Sequence, residues 1–130
     1  MESTLRRTWA EIDLDALAHN YQTLRRRTGT RFVGVVKADA YGHGSVQVSR
    51  VLEELGADYL AVSSLDEAME LRAGGIHMPI LILGHTPPER VEELLRYHIT
   101  QTVTCEAKAL EYSAEAGLLL IYAVVRELKL

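Results

Sequence analysis

The sequence predicts an α/β fold with a parallel sheet, on three observations. Short apolar runs recur along the chain: FVGVV (32–36), YLAVS (59–63), PILILG (79–84), ITQTV (99–103) and LLLIYAVV (118–125). They are nearly continuous in β-branched residues and leucine, as suits strands buried on both faces of a parallel sheet. Stretches of helical periodicity lie between them, and capping residues mark most of the junctions. Such βαβα alternation implies parallel strands joined by right-handed crossovers.

In chain order, Leu14, Leu17, Tyr21 and Leu24 share one face of a first helix. Arg25, Arg26 and Arg27 close it, where cations suit the negative end of the helix dipole. After FVGVV, the residues Val48, Val51, Leu52 and Leu55 stand at i, i+3, i+4 and i+7, and Gly56 ends that helix. After YLAVS, the tetrapeptide SLDE makes Ser64 an N-cap with Glu67 three residues on, a capping box. That helix ends at Gly74 or Gly75. After PILILG, TPPE repeats the pattern, with Thr86 as N-cap, Glu89 as its partner and Pro87 at the first helical position. Val91, Leu94, Leu95 and His98 continue the helix. Strand centres near Val36, Val62, Ile82 and Thr102 are about 20 to 26 residues apart, a spacing that suits both a (β/α) barrel and a doubly wound open sheet. The count is about four to five βα units. An eight-unit barrel needs about 200 residues or more, so these 130 residues would supply roughly half of one.

Composition narrows the function classes. The chain has the size of one domain, with 48% hydrophobic and 25% charged residues, as in ordinary soluble proteins. Fourteen Lys and Arg against 18 Asp and Glu give a net charge of −4, which speaks against a nucleic-acid partner. A single cysteine, Cys105, rules out a disulfide framework and suits a reducing compartment. The opening MESTLRRTWAEIDLD has no signal-peptide core, and the run GLLLIYAVV (117–125) is too short to span a bilayer. No metal-ligand pattern stands out. A cytoplasmic protein without a membrane or nucleic-acid partner is the expectation.

The stretch VVKADAYGHG (35–44) raises a chemical question, because Lys37 closes an apolar strand at once before a polar, glycine-bearing loop. Functional residues of parallel α/β sheets gather at the C-terminal ends of the strands. A lysine there can be desolvated by apolar neighbours, which disfavours its ammonium form, and a neutral amine is what attacks a carbonyl to form a Schiff base. Tyr41 offers a hydroxyl to an anion, His43 a further donor, and Gly42 and Gly44 allow close backbone approach. An imine-forming lysine beside a phosphate cradle suits pyridoxal 5′-phosphate. The plainer reading is a strand-ending lysine reaching for water before an ordinary glycine turn. Spacing alone does not separate the two.

The whole ten-residue string closely resembles the pyridoxal-phosphate attachment motif of alanine racemases. The likeness extends to TWAEIDLDALAHNYQTLR (8–25), similar to that family's opening strand and first helix, and to GADYLAVSSLDEAMELRAGGI (56–76) and PILILG (79–84), in the family's order. It covers about residues 8 to 112. Near residue 113, where the family continues toward a segment of the type HLKxDTGMxR, this chain reads SAEAGLLLIYAVVRELKL. The resemblance implies a partial (β/α) TIM-type barrel, with residues 1–130 as the N-terminal portion of a (β/α)8 barrel domain and the family's C-terminal β-domain absent. It implies pyridoxal-phosphate-dependent interconversion of L-alanine and D-alanine, which supplies D-alanine for peptidoglycan, and a homo-oligomer. At matching positions Lys37 would hold the cofactor and act as acid and base on one face of the substrate, Tyr41 would bind the phosphate, and Val35 and Leu83 would line the cofactor. The opposite-face tyrosine comes, in the family, from the β-domain of a partner subunit, so the 130-residue chain by itself is expected to be inactive. Two other readings stay open: a non-catalytic βα fragment, and a cofactor-binding protein of the same barrel type without racemase activity.

Overall fold

The computed structural model of the protein describes residues 8–117. The elements follow the predicted alternation: α1 (Leu14–Thr28), β1 (Val33–Val35), α2 (Lys37–Gly42), α3 (Ser45–Glu54), β2 (Tyr59–Val62), α4 (Leu65–Ala73), β3 (Ile80–Ile82), a 3-10 turn (Pro88–Arg90), α5 (Val91–Arg96), β4 (Ile99–Gln101) and α6 (Glu106–Ala116). The predicted strand LLLIYAVV (118–125) lies outside the described residues. The opening segment predicted as a strand is not one: residues 8–13 carry no regular structure. No strand pairs with this segment among the described residues, and a strand without a ladder is not stable.

All four strands are parallel, in the order β1-β2-β3-β4. That order bears out the barrel implied by the resemblance, where strand spacing alone fitted two architectures. Consecutive strands that are always neighbours, with crossovers of one hand, place every helix on the same face; a doubly wound sheet would reverse its order partway. The arrangement is the open arc of a (β/α) barrel. Register assigns the faces: Gly34, Leu60 and Ile80 form one row with Ile99, and Val35, Ala61 and Leu81 form a row on the other face with Thr100. Leu60, Ile80 and Ile82 are fully buried against the helices, with Leu52, Leu65, Leu71, Val91 and Leu94 in the same core. Val33, Val35 and Leu83, on the concave face, are 50%, 42% and 46% exposed.

Local signals mostly act as predicted, with two additions at α1: Asp13 caps it through Ala16 N at 2.8 Å, and Arg25 in its last turn reaches Asp58 at 2.8 Å. Asp58 also accepts from Phe32 N at 2.8 Å, so one carboxylate ties α1, the entry to β1 and the entry to β2. Gly56 (φ 74) and Gly75 (φ 83) take the left-handed conformation just past α3 and α4. Two predictions need correction. Thr86 is not an N-cap: its hydroxyl, 1% exposed, donates to Gln101 Oε1 at 2.6 Å, and the 3-10 turn starts at Pro88 after Pro87 without a side-chain cap. A fully buried partner offered by β4 outcompetes the local capping bond. His98 is not in the helix either. α5 stops at Arg96, and His98 turns left-handed at φ 51 to lead into β4.

Candidate functional site

β1 ends at Val35, and the backbone bond from Val36 N to Ala61 O at 2.9 Å carries the pairing one step further. Lys37 therefore stands at the C-terminal edge of the sheet, where prediction put it. Extending the row Val35–Ala61–Leu81 by two residues leads to Lys37, Ser63 and Leu83, on the concave face of the three strand ends. The bond from Leu83 N to Val62 O at 2.8 Å keeps that extension in register. With strands about 4.8 Å apart, Val35 and Leu83 flank Lys37 from its own strand and from two strands away. Both are large and half exposed, so they offer apolar surface without enclosing the amine. Lys37 is only partly buried, short of the desolvated lysine that the sequence suggested.

The segment after the lysine is the most unusual backbone in the chain. α2 has helical hydrogen bonding, but Ala38, Asp39, Ala40 and Tyr41 lie at φ 50, 53, 52 and 56 with ψ between 35 and 51, a turn of left-handed helix. For L-residues this costs roughly 1–2 kcal/mol each. Strain of this kind persists only where surrounding structure over-determines it, and it concentrates at functional sites. Val36 O accepts from Ala40 N at 2.9 Å, and Asp39 O accepts from Gly44 N at 3.0 Å. Asp39 Oδ1 accepts from Ser45 N at 2.7 Å, tying the turn to α3. Ala38 N donates to Glu67 Oε1 of α4 at 2.9 Å. Gly42 and Gly44, at φ 86 and 89, finish the turn at no steric cost.

The left-handed turn brings Lys37 and Tyr41 together. Lys37 Nζ stands over the Tyr41 ring, 6.0 Å from its centroid, and the tyrosine is 61% exposed. His43 is exposed, and its Nδ1 lies 2.9 Å from Ala40 O, so that nitrogen serves the turn and only the other is available outward. An apolar floor, an amine and a phenol on one rim, with an open approach at Gly42, where a Cβ would meet nothing within 4 Å, suit a flat aldehyde cofactor bearing a phosphate. A cavity of about 500 Å³ includes Val35 and His43, but it runs along the β1 edge under α1 and takes in neither Lys37 nor Tyr41. Among the described residues no cluster of His, Cys, Asp and Glu is arranged to hold a metal, and no helix is long and apolar enough to cross a membrane.

Sequence reasoning missed two groups that build this rim. By its spacing from Ser64, Glu67 is a capping-box residue. Ser64 Oγ does accept from Glu67 N at 3.3 Å, but the carboxylate spends itself on Ala38 and on Ser63 N and Oγ, at 2.7 and 2.8 Å. Partial burial pushes the Glu67 carboxyl up, and hydrogen bonds from Ala38, Ser63 and Ser64 outweigh it, leaving it below its ordinary value of 4.5. The second group holds the Leu83 loop. Gln101 Nε2 donates to Gly84 O at 2.7 Å, Thr86 donates to Gln101 Oε1, and Tyr112 OH donates to Thr86 O at 2.7 Å. The TPPE cap signal masked Thr86, and nothing local in the sequence marks Gln101.

A family model described as the N-terminal domain of alanine racemase matches residues 12–119. The chain belongs to the alanine racemase family. The match runs past residue 112, where the resemblance read from motifs alone had stopped. Alanine racemase 1 of Clostridium acetobutylicum is 54% identical over 100 residues, 76% of this chain and 26% of that protein. Alanine racemase of Clostridium tetani is 50% identical over 113 residues, 86% of this chain and 29% of that protein. The chain thus spans under a third of the length of these relatives. An alanine racemase structure from Clostridium difficile superposes with a TM-score of 0.79 at 42% identity, over 86% of this chain and 30% of that one. The histidine racemase of Leuconostoc mesenteroides superposes at 0.78 with 26% identity, so this part of the barrel is common to racemases named for different amino acids. The barrel assignment drawn from strand order stands.

Proposed function

We propose that this chain contributes the lysine-bearing part of a pyridoxal-phosphate-dependent alanine racemase site. The observation that supports it is the rim at the end of β1, where a strained turn sets Lys37 beside Tyr41, in a chain whose family is named for that reaction. Lys37 would join the cofactor through Nζ and then accept and return the proton on one face of the substrate Cα. The Tyr41 hydroxyl would donate to the phosphate, and Val35 and Leu83 would pack against the cofactor. When bound, pyridoxal phosphate delocalises the electron pair left at Cα. Alanine as substrate rests on relatives 41–54% identical that carry the name alanine racemase, and the role in D-alanine supply, the cytoplasmic setting and the homo-oligomer rest on the same kinship. A proton donor for the opposite face would come from a partner subunit's C-terminal domain.

The test is borohydride fixation of the chain with pyridoxal phosphate, followed by peptide mapping. The pyridoxyl adduct is expected on Lys37, and Lys37→Ala is expected to lose it. An adduct that persists on Lys108 in that variant would sink the assignment. Tyr41→Phe removes one hydrogen bond to a charged phosphate, worth on the order of 1.5–3 kcal/mol, so it should weaken cofactor binding by at least tenfold while still allowing the adduct. Unchanged affinity would remove Tyr41 from the phosphate role.

A further inference from the structure

Most bonds that stabilise the left-handed turn come from residues next to it in the chain. One does not. Glu67, 29 residues on and in another βα unit, accepts from Ala38 N, the amide that directly follows Lys37 and opens the left-handed run. The same carboxylate accepts from Ser63 N and Oγ at the end of β2. A helix cap needs only the bonds at Ser63 and Ser64; nothing about capping calls for Ala38. A carboxylate can accept three donors at once, whereas an amide would turn its own N–H groups against one of them.

We propose that Glu67 is a positioning residue for Lys37. By gripping Ala38 N it selects the left-handed turn over the right-handed and extended alternatives, and so keeps the lysine amine and the Tyr41 hydroxyl on the same rim. The proposal rests on the reading of Lys37 as the cofactor lysine, and it reaches that reading through the backbone rather than through any contact with cofactor.

The experiment uses the 130-residue chain and two readouts. The first is amide hydrogen exchange at Ala38, which involves no cofactor. The second is the yield of borohydride-fixed pyridoxyl adduct at Lys37, in which the amine condenses with the aldehyde, loses water and is then reduced. Glu67→Ala should speed Ala38 exchange by about tenfold or more, the scale of a lost hydrogen bond to a charged acceptor, and lower the adduct by a similar factor. Ala38→Gly in the Glu67→Ala background should restore much of the adduct, because glycine takes φ near 50° without penalty. If Glu67→Ala is too unstable to study, Glu67→Gln carries the same comparison and should fall between it and the parent. The proposal is overturned if exchange and adduct both stay at parental values. It is also overturned if Ala38→Gly restores nothing, since Glu67 would then matter only as the α4 cap. Should the parent form no adduct on Lys37, the cofactor reading fails, and exchange at Ala38 alone decides whether Glu67 sets the turn.

Discussion

Gly84 leaves β3 so close to β2 that a Cβ built on it would overlap Ser63 O, a backbone atom that cannot step aside. Gly34 also lacks room, but its nearest neighbour is the end of the flexible Leu52 side chain, at 2.5 Å, and a shift there is cheap. The difference gives a residue-scale prediction. Gly84→Ala should destabilise the chain by about 1–3 kcal/mol, as overpacking does, read as a lower denaturant midpoint with an unchanged slope, and it should displace Leu83 and Gln101, which grip the same loop. An unaltered midpoint would show that the loop has slack. Lys37 was legible at this scale because an apolar run ending in a lysine and a glycine-bearing loop is a local pattern. Its flank was not, because Glu67 and Gln101 reach their partners across 29 and 17 positions.

At the scale of elements, α1 is held to the sheet edge by the Tyr21–Phe32 edge-to-face contact, with ring centroids 5.3 Å apart, and by Arg25 on Asp58. The Phe32 N–H lowers the Asp58 carboxyl below its ordinary 3.8, burial opposes it, and Arg25 adds to the lowering. Glu67, between α4 and the turn after β1, is lowered from 4.5. A carboxyl held low in the folded chain contributes stability that is complete above its unfolded value and is lost as pH falls through the folded one. Thermal stability should therefore be level through neutral pH and begin to fall below about pH 4.5, with Asp58→Asn showing a shallower acid decline. A decline setting in near pH 6 would show that these carboxylates do not govern it.

For the whole molecule, the arc β1-β2-β3-β4 has two edges among the described residues and a concave face on which Val33, Val35 and Leu83 are half exposed. Barrels remove such edges by closing, and unpaired parallel edges invite further chains. The arc is therefore expected to self-associate in light scattering. A compact monomer at every concentration tested would overturn that expectation.

The sequence by itself determined the alternation of parallel strands and helices, the Ser64 cap, the arginine-rich close of α1 and the motif that places Lys37 at a strand end. Each of these is written in neighbouring residues, through apolar period or through a side chain bonding the next turn. Strand spacing left barrel and doubly wound sheet open and the motif resemblance implied the barrel; the strand order that bears it out is a matter of pairing between segments 20 or more residues apart. Only the tertiary structure left residues 8–13 without a ladder, drew Thr86 away from its cap to Gln101, and turned Ala38 to Tyr41 left-handed. Local propensity opposes that last conformation. It holds because Glu67 and Ser45, on separate helices, arrive where the turn needs an acceptor and a donor.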